Sequence, residues 1–418
     1  MGERETGLAS GWMAPVGPTS TSGAFDRTRP VRVGPIRVAV ESNDPEVVVR
    51  FQHLFVGFEP AVGIAGGLEM TVTITNSTLG AEQQEGLGYI AEVDCEVLLE
   101  SSQLVDIELA VTRVLNDRKL AAEPSLLHLH SAAVAIDGLA VLLPAVSGSG
   151  KSTLTAALMQ AGWKYITDEQ VTLRPVDGAV VAYPRPITVR RPVWSLFPTI
   201  ADVPVAHPDG VVGPRVEVSP AAFGAVHRGP APRPAVVVFP SFVADVVATA
   251  VRIDCAAQVV ELLTSCCYDL ERLGLPGFEL LVDLAARCPA WQLEFSDLVG
   301  AVSTVAGLFD MARVETPQAA RHIAPPSRHP ALVDGEVRCA STAHAWAFDD
   351  GFAVVYDPTS LRIAQLDAAG TEVWELLRDA HDTELLVARL SGADANAEHG
   401  IRSWLLAMEA ALLLERGR

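Results

Sequence analysis

The chain of 418 residues is too long for one compact domain, so we expect two or three domains. Hydrophobic residues make up 49% and charged residues 20%, a composition that supports folded cores and excludes a chain that is disordered throughout. The formal net charge of −20 argues against a protein that coats DNA or RNA, because phosphate backbones are bound by clustered Lys and Arg. We therefore expect no nucleic-acid partner.

The sequence favours a cytoplasmic protein with no membrane partner. Its first 30 residues contain no apolar signal sequence, and its apolar stretches are too short to span a bilayer. The six cysteines include no C-x-x-C pair, so neither a zinc site nor a disulfide framework is indicated.

Composition and hydrophobic pattern divide the chain into segments. The start is rich in Gly, Ser, Thr and Pro, whereas short alternations such as Leu68–Ile74 indicate strands, and a helix is expected near Asp106–Leu115. Four prolines between residues 314 and 330 indicate a linker. The predicted order is a flexible tail at 1–30, a β-rich region at 31–120, a mixed α/β domain at 121–312, a linker at 313–330 and a small domain at 331–418.

A glycine-rich motif predicts a phosphate-binding loop. The motif is Ala145-Val146-Ser147-Gly148-Ser149-Gly150-Lys151-Ser152. It follows an apolar strand and precedes the helical run Thr153–Gln160, the context that such a loop requires, although a chance helix-capping loop is the alternative. Glycines let backbone N–H groups turn toward phosphate oxygens, the lysine reaches the outer phosphates, and the serine hydroxyl can bind Mg²⁺. The predicted nucleotide-binding residues are Ser147, Gly148, Ser149, Gly150, Lys151, Ser152 and Thr153.

A pair of carboxylates follows the motif. Trp163–Thr167 indicates a short strand that ends at Asp168 and Glu169. One helix and one short strand separate the pair from the loop, so both groups should emerge at the same edge of the sheet. A carboxylate there can accept a proton from a hydroxyl or hold Mg²⁺. The alternative is a solvated acidic turn.

One histidine precedes the motif. The runs Ala132–Ile136 and Leu139–Leu143 are joined by Asp137-Gly138, which strongly predicts a tight hairpin. The hairpin should bring His130 close to the phosphate loop, where an imidazole could orient Asp168 or neutralise phosphate charge. A purely structural histidine is the alternative.

Together these residues resemble the core of HPr kinase/phosphorylase, and more closely the HPr-kinase-related proteins of peptide-modification gene clusters. The matching residues are His130-Ser131-Ala132-Ala133, Gly138, Ser147-Gly148-Ser149-Gly150-Lys151-Ser152, Gly162 and Thr167-Asp168-Glu169. The chain departs from the family at Ala145, where the motif has Gly, and at Glu169, where it has a second Asp.

This resemblance implies an α/β fold with a P-loop kinase core of the HPr kinase/PEP carboxykinase type. It also implies transfer of phosphate from ATP to a hydroxyl, with Asp168 as the base, His130 and Lys151 as its catalytic companions, and Ser152 and Glu169 near Mg²⁺. Arg185, Arg190 and Arg191 stand where the family has a further loop. Either a phosphate clamp or ordinary surface arginines are compatible with that position.

The C-terminal segment resembles PqqD-like domains, small winged-helix-like α+β folds that capture the leader segment of precursor peptides. The matching residues are Val355-Tyr356-Asp357-Pro358, Gln365-Leu366-Asp367, Gly370, Trp374-Glu375-Leu376-Leu377 and Thr383-Glu384-Leu385-Leu386. The resemblance implies that an extended peptide adds as a strand to a sheet edge. A generic helical cap on the kinase is the alternative.

The resulting expectation is an ATP- and Mg²⁺-dependent kinase that phosphorylates a Ser or Thr hydroxyl of a ribosomally synthesised precursor peptide. The family resemblance also implies a homo-oligomer. A small-metabolite P-loop kinase and a non-catalytic ATP-binding peptide scaffold remain alternatives. ABC-type and motor ATPases are disfavoured, because their acidic strand lies much further beyond the lysine than Asp168 does.

Overall fold

The structure, a computed structural model, describes residues 25–61, 68–77, 88–200, 215–325, 331–392 and 394–417. Within them the fold is mixed α/β, as predicted, with helices packed on several mixed sheets. Most of the predicted tail, residues 1–24, lies outside the described residues. Among the described helices, none combines the length and apolar character needed to cross a membrane.

The N-terminal region is a mixed sheet flanked by helices. Its elements are β1 (Asp26–Arg27), β2 (Val31–Val33), β3 (Ile36–Ser42), α1 (Pro45–Leu54), β4 (Glu59–Pro60), β5 (Leu68–Asn76), β6 (Tyr89–Val93), β7 (Glu96–Ser101) and α2 (Leu104–Ala122). The strands follow the order β4-β2-β3-β5-β6-β7, with β1 beside β3. In β5, buried Met70, Val72 and Ile74 alternate with threonines, which is the predicted pattern.

The helix predicted near Asp106–Leu115 is confirmed as α2, whereas α1 was not predicted. The side chain of Asp44 caps α1 by accepting a hydrogen bond from the Glu46 N–H group, and Pro45 occupies the first helical position.

The central domain contains the predicted phosphate loop. Its elements are β8 (Leu127–Ile136), β9 (Leu139–Pro144), α3 (Lys151–Gln160), β10 (Lys164–Thr167), β11 (Gln170–Leu173), β12 (Val180–Val181), β13 (Ile187–Arg190), β14 (Arg215–Val218), β15 (Arg233–Phe242), β16 (Thr249–Ile253), α4 (Ala256–Ser265), α5 (Leu270–Leu273), α6 (Leu275–Arg287), β17 (Ala290–Phe295) and α7 (Leu298–Ala312). The main sheet has the order β12-β11-β8-β9-β15-β17-β16, with β10 also beside β8.

Strand directions in this sheet determine where the site lies. The antiparallel pairing of β8 with β9 confirms the predicted hairpin, and Asp137 and Gly138 both have positive φ there. Strands β9, β15 and β17 run parallel, so their carboxyl ends meet at one edge of the sheet. Helices α3 and α7 cover one face, and α4 and α6 cover the other.

In the described residues, the C-terminal domain contains a four-stranded antiparallel sheet. Helices follow its last strand. Its elements are β18 (Ala320–Ile323), β19 (Glu336–Cys339), β20 (His344–Phe348), β21 (Ala353–Asp357), β22 (Arg362–Leu366), α8 (Ala368–Leu376), β23 (His381–Asp382), α9 (Thr383–Ser391), α10 (Ala395–Ala410) and β24 (Leu414–Arg416). The order is β18-β20-β21-β22, and β23-β19-β24 form a second small sheet. Strand β18 lies inside the predicted linker at 313–330, so this sheet begins before residue 331; residues 326–330 lie outside the described part.

The four-stranded sheet is covered on both faces. Helices α8, α9 and α10 cover one face through side chains such as Trp374 and Leu405. The other face contributes Trp346, Val354 and Tyr356 to the core that α4 and α6 form in the central domain. There the Phe278 ring stacks on the Tyr356 ring with their centroids 4.4 Å apart.

Candidate functional site

The segment 145–150, which we call the glycine loop, joins the end of β9 to the start of α3. Gly148 and Gly150 have φ values of 93° and 87°, a region that glycine adopts with little cost and other residues rarely enter. Both glycines of the motif are therefore needed for the backbone path. Ala145 is buried and does not have a positive φ, so the departure from Gly at this position is accommodated.

The start of α3 has the properties of an anion site. Gly150 occupies the position before the helix, and no described side chain caps it. The first N–H groups of α3 thus lack the partners that a capping residue would give. A Cβ at Gly148 would meet no described atom within 4 Å, so the loop faces open space. Backbone donors and the helix dipole together favour a phosphate group at this point.

Lys151, the first residue of α3, contacts the predicted histidine. Its Nζ donates to His130 Nε2 at 2.9 Å and to the Ala145 carbonyl oxygen at 3.4 Å. Because an ammonium group only donates, the hydrogen of a neutral imidazole must be on Nδ1. Burial lowers the pKa of Lys151, and the charges of Glu169 and Asp168 oppose that shift.

Glu169 lies between two basic side chains. Its Oε1 is 3.2 Å from His130 Nδ1, and its Oε2 is 3.7 Å from the Arg185 guanidinium. Burial alone would raise the pKa of Glu169, but the hydrogen bond with His130 and the charges of Lys151 and Arg185 outweigh it and lower the pKa to about 2. Glu169 is therefore a carboxylate at neutral pH and can bind a cation.

Asp168 is almost completely buried, with 1% of its surface exposed. Its Oδ1 accepts a hydrogen bond from the Tyr165 hydroxyl at 3.1 Å. Burial raises the pKa of Asp168, against the opposing charges of Arg185 and Lys151. Oδ2 has no hydrogen-bond partner among the described residues. A buried carboxylate with a spare oxygen and a raised pKa is suited to accept a proton.

Arg185, which the sequence left open as a phosphate clamp, and Glu217, which the sequence did not indicate, complete the charged cluster. The guanidinium of Arg185 lies 3.6 Å from Asp168 Oδ1 and 3.4 Å from Glu217 Oε1. Arg185 is only 4% exposed, so its interpretation as a surface arginine is wrong. Burial raises the pKa of Glu217 to about 7, although Arg185 and a 2.8 Å hydrogen bond from the Thr188 hydroxyl oppose the shift. Glu217 comes into reach because β14 pairs with β13 across a long connection.

A turn at residues 266–269 brings in a tyrosine that the sequence did not indicate. The pairing of β9 with β8 ends at Ser131, and beyond that residue the turn lies beside β8 instead. The His130 N–H donates a hydrogen bond of 2.6 Å to the Cys266 carbonyl. The Tyr268 hydroxyl then lies 2.5 Å from His130 Nδ1. The buried His128 fixes the turn, because its N–H and its ring bond to the Asp269 carboxylate at 3.0 and 2.7 Å.

The other residues predicted for nucleotide binding lie in the glycine loop and in the first turn of α3. The Arg190 guanidinium donates to Ser147 Oγ at 3.4 Å, which places a second arginine beside the loop. The buried Ser149 Oγ has no hydrogen-bond partner among the described residues. Thr153 is half-buried in the first turn of α3. Hence the residues predicted for nucleotide binding and for catalysis lie in one continuous cluster.

A magnesium ion fits this cluster in the way it usually binds with nucleotides. The described residues contain no group of three or more His, Cys, Asp and Glu side chains that could hold a metal by itself. Mg²⁺ bound with phosphates needs only one or two protein oxygens. The ionised Glu169 and the Ser152 hydroxyl can supply these oxygens. Oδ2 of Asp168, which has no hydrogen-bond partner among the described residues, is a further oxygen that could bind the ion.

No known protein-family model matches this chain, and no curated protein sequence matches it significantly. Its function is therefore inferred from the geometry of residues 130–169 and of the side chains around them.

Proposed function

We propose that this protein is an ATP- and Mg²⁺-dependent kinase that phosphorylates a Ser or Thr hydroxyl of a ribosomally synthesised precursor peptide. One observation carries the proposal: Asp168, a buried carboxylate with an unpartnered oxygen, belongs to the cluster of contacts that Arg185, Glu169 and His130 extend to the loop lysine. An acceptor for a hydroxyl proton is thus adjacent to a site for phosphates, and phosphoryl transfer to an alcohol needs this pair of functions.

The glycine loop and Lys151 would hold the β- and γ-phosphates of ATP. In the structure Lys151 donates to His130, so phosphate oxygens would replace or share that contact. Arg185 and Arg190 are close enough to the carboxylates and to the loop to balance charge on the phosphoryl group. Mg²⁺, held by Ser152 and Glu169, would supply further charge neutralisation on the phosphates.

Asp168 would act as the base in the transfer step. As the hydroxyl oxygen attacks the γ-phosphorus, its proton passes to Asp168, and the bond between that phosphorus and the bridging oxygen breaks to release ADP. His130, held by Lys151, Glu169 and Tyr268, would keep the surrounding charges oriented rather than take the proton.

The C-terminal domain supports a peptide as the acceptor. Its strands β18 and β22 are the outer strands of the four-stranded sheet, and an extended leader peptide can add to such an edge. Tethering the leader would raise the local concentration of the acceptor residue. A small-metabolite kinase would use the same chemistry to phosphorylate a small molecule instead of a peptide. A non-catalytic scaffold would give Asp168 no role as a base.

Mass spectrometry of a transfer reaction tests the proposal. The full chain is incubated with ATP, Mg²⁺ and the small peptides encoded beside its gene, and intact mass reports each added phosphate. The full chain is required because the C-terminal sheet shares a core with α4 and α6. One phosphate on a Ser or Thr of such a peptide is the expected result.

Matched reactions distinguish the alternatives. Excess isolated leader peptide should raise the KM for the intact precursor and leave the KM for a leaderless precursor unchanged. Transfer to small hydroxyl metabolites with none to peptides would establish the metabolite kinase instead. ATP binding without transfer to either class would establish the scaffold.

A further inference from the structure

The two sides of the glycine loop differ in chemistry. The side next to β8 and β10 carries the charged cluster around Asp168 and Glu169. The other side is formed by β15 and β17, whose parallel strands end opposite each other at Phe242 and Phe295. The loop thus lies between a charged side and an aromatic side.

Phe242 is held against the loop by its backbone. Its N–H donates to the Ser149 carbonyl oxygen at 2.9 Å. A Cβ at Gly150 would stand 3.3 Å from Phe242 Cβ and 2.9 Å from Phe295 Cζ, so glycine is also needed for this close packing. The Phe242 and Phe295 rings are nearly perpendicular, with an interplanar angle of 83° and their centroids 6.1 Å apart.

The Phe242 ring is nevertheless open to solvent. It is 53% exposed, whereas Phe295 beneath it is 1% exposed. The segment that follows is tied to the same strand end, because the Val243 N–H donates to the Phe295 carbonyl at 3.0 Å and Ser296 Oγ donates to the Val246 carbonyl at 2.7 Å. Aromatic side chains commonly line ligand sites, and this exposed ring on a fixed backbone lies beside the glycine loop.

A nucleotide has one anionic end and one flat aromatic end. The loop and Lys151 suit the anionic end, and the groups that would act on the γ-phosphate lie on the charged side. The nucleoside must then leave the loop toward another side, and β15 and β17 offer an aromatic surface there. We propose that the nucleobase of the bound nucleotide stacks on the exposed ring of Phe242, which would make β15 a determinant of nucleotide affinity.

This inference rests on the proposed function, since it assumes that the glycine loop binds nucleotide phosphates. The test compares two probes, ATP and inorganic tripolyphosphate, by isothermal titration calorimetry on the full chain in the presence of Mg²⁺. Stacking of a base on an aromatic side chain predicts that Phe242→Ala weakens ATP binding by roughly 5- to 140-fold. Tripolyphosphate has no base, so its Kd should be unchanged.

Two further variants make the comparison specific. Phe242→Tyr keeps the ring and should bind ATP like the original protein. Val251→Ala alters a side chain on β16 that is also exposed, at 62%, and should leave both Kd values unchanged. A variant that disturbed the loop itself would weaken both probes together, so the two readouts separate ring loss from loop damage.

Several results would overturn the proposal that the nucleobase stacks on Phe242, which we call the nucleobase subsite. An equal loss of affinity for both probes in Phe242→Ala, or no loss for ATP, would exclude stacking on this ring, and so would a Phe242→Tyr variant as weak as Phe242→Ala. If the original protein binds tripolyphosphate as tightly as ATP, the base contributes nothing and only the phosphate site stands. If it binds neither probe, the proposed function fails and the subsite fails with it.

Discussion

Replacing Asp168 with Asn removes the proposed proton acceptor and preserves the shape of the side chain. The amide oxygen can still accept the hydrogen bond from the Tyr165 hydroxyl, which spans 3.1 Å in the structure. Arg185 loses a carboxylate 3.6 Å away but keeps Glu217 at 3.4 Å and Glu169 at 3.7 Å, so it is not left as an unpaired buried charge. We therefore expect the variant to fold.

The expected effect of Asp168→Asn is on the rate of transfer. A positioned general base contributes roughly 10²- to 10⁴-fold to a rate, so kcat should fall by about that factor at saturating ATP. The Kd for ATP should change little, because the loop and the lysine that hold the phosphates are unaltered. Initial rates of phosphopeptide formation and calorimetric titration with ATP measure the two quantities separately.

Glu217→Gln is the matched control, since it also removes a buried carboxylate from Arg185 but leaves Asp168 in place. It should retain most of the activity. Asp168 must be ionised to accept a proton, and burial raises its pKa, so the rate should fall as the pH is lowered toward that raised value. This acid limb should persist in Glu217→Gln, although the pKa of Glu217 is itself about 7. Full turnover in Asp168→Asn, or an equal loss in both variants, would refute the assignment of the base.

Three further substitutions test other parts of the structure. Gly150→Ala would force a Cβ to 2.9 Å from the Phe295 ring at a φ of 87°, so we expect urea titration to show about 1–3 kcal/mol less free energy of unfolding, and an unchanged midpoint would contradict this. Phe278→Ala removes a fully buried ring that stacks on Tyr356, and the free energy of unfolding should fall by about 3–5 kcal/mol; a loss below 1 kcal/mol (roughly the cost of a conservative swap) would show that the interface is loosely packed. Tyr268→Phe removes one hydrogen bond to the site histidine, so kcat should fall roughly 2- to 10-fold with the ATP affinity retained, and an unchanged kcat would exclude an orienting role.

The parts of the site that sequence predicts are those that short-range geometry determines. The Asp137-Gly138 turn fixes the pairing of β8 with β9, and that pairing alone brings His130 level with the end of β9 and with Lys151. In the same way, one helix and one strand return the chain from the loop to Asp168. Few conformations satisfy such short connections, so spacing was informative.

The remaining site residues arrive through long-range packing. Tyr268 lies 138 residues beyond His130 and reaches it only because a turn takes the place that β9 vacates beside β8. Glu217 faces Arg185 through the pairing of β13 with β14, and an alternating strand sequence does not distinguish a buried glutamate from a solvated one. Strand β18 was not predicted for a related reason. Its sequence is short and flanked by prolines, and its partner strand β20 lies beyond the segment that was predicted as a linker.

If the chain is the proposed kinase, the core that the C-terminal sheet shares with α4 and α6 would affect which residue of a peptide is phosphorylated. Since Phe278 and Tyr356 join the two domains through close packing, the sheet edges and the glycine loop lie at a set separation. An extended peptide advances by about 3.3 Å per residue. A leader docked on such an edge would therefore fix the distance from the leader to the catalytic site. Only a hydroxyl at the matching number of residues from the leader would reach Asp168.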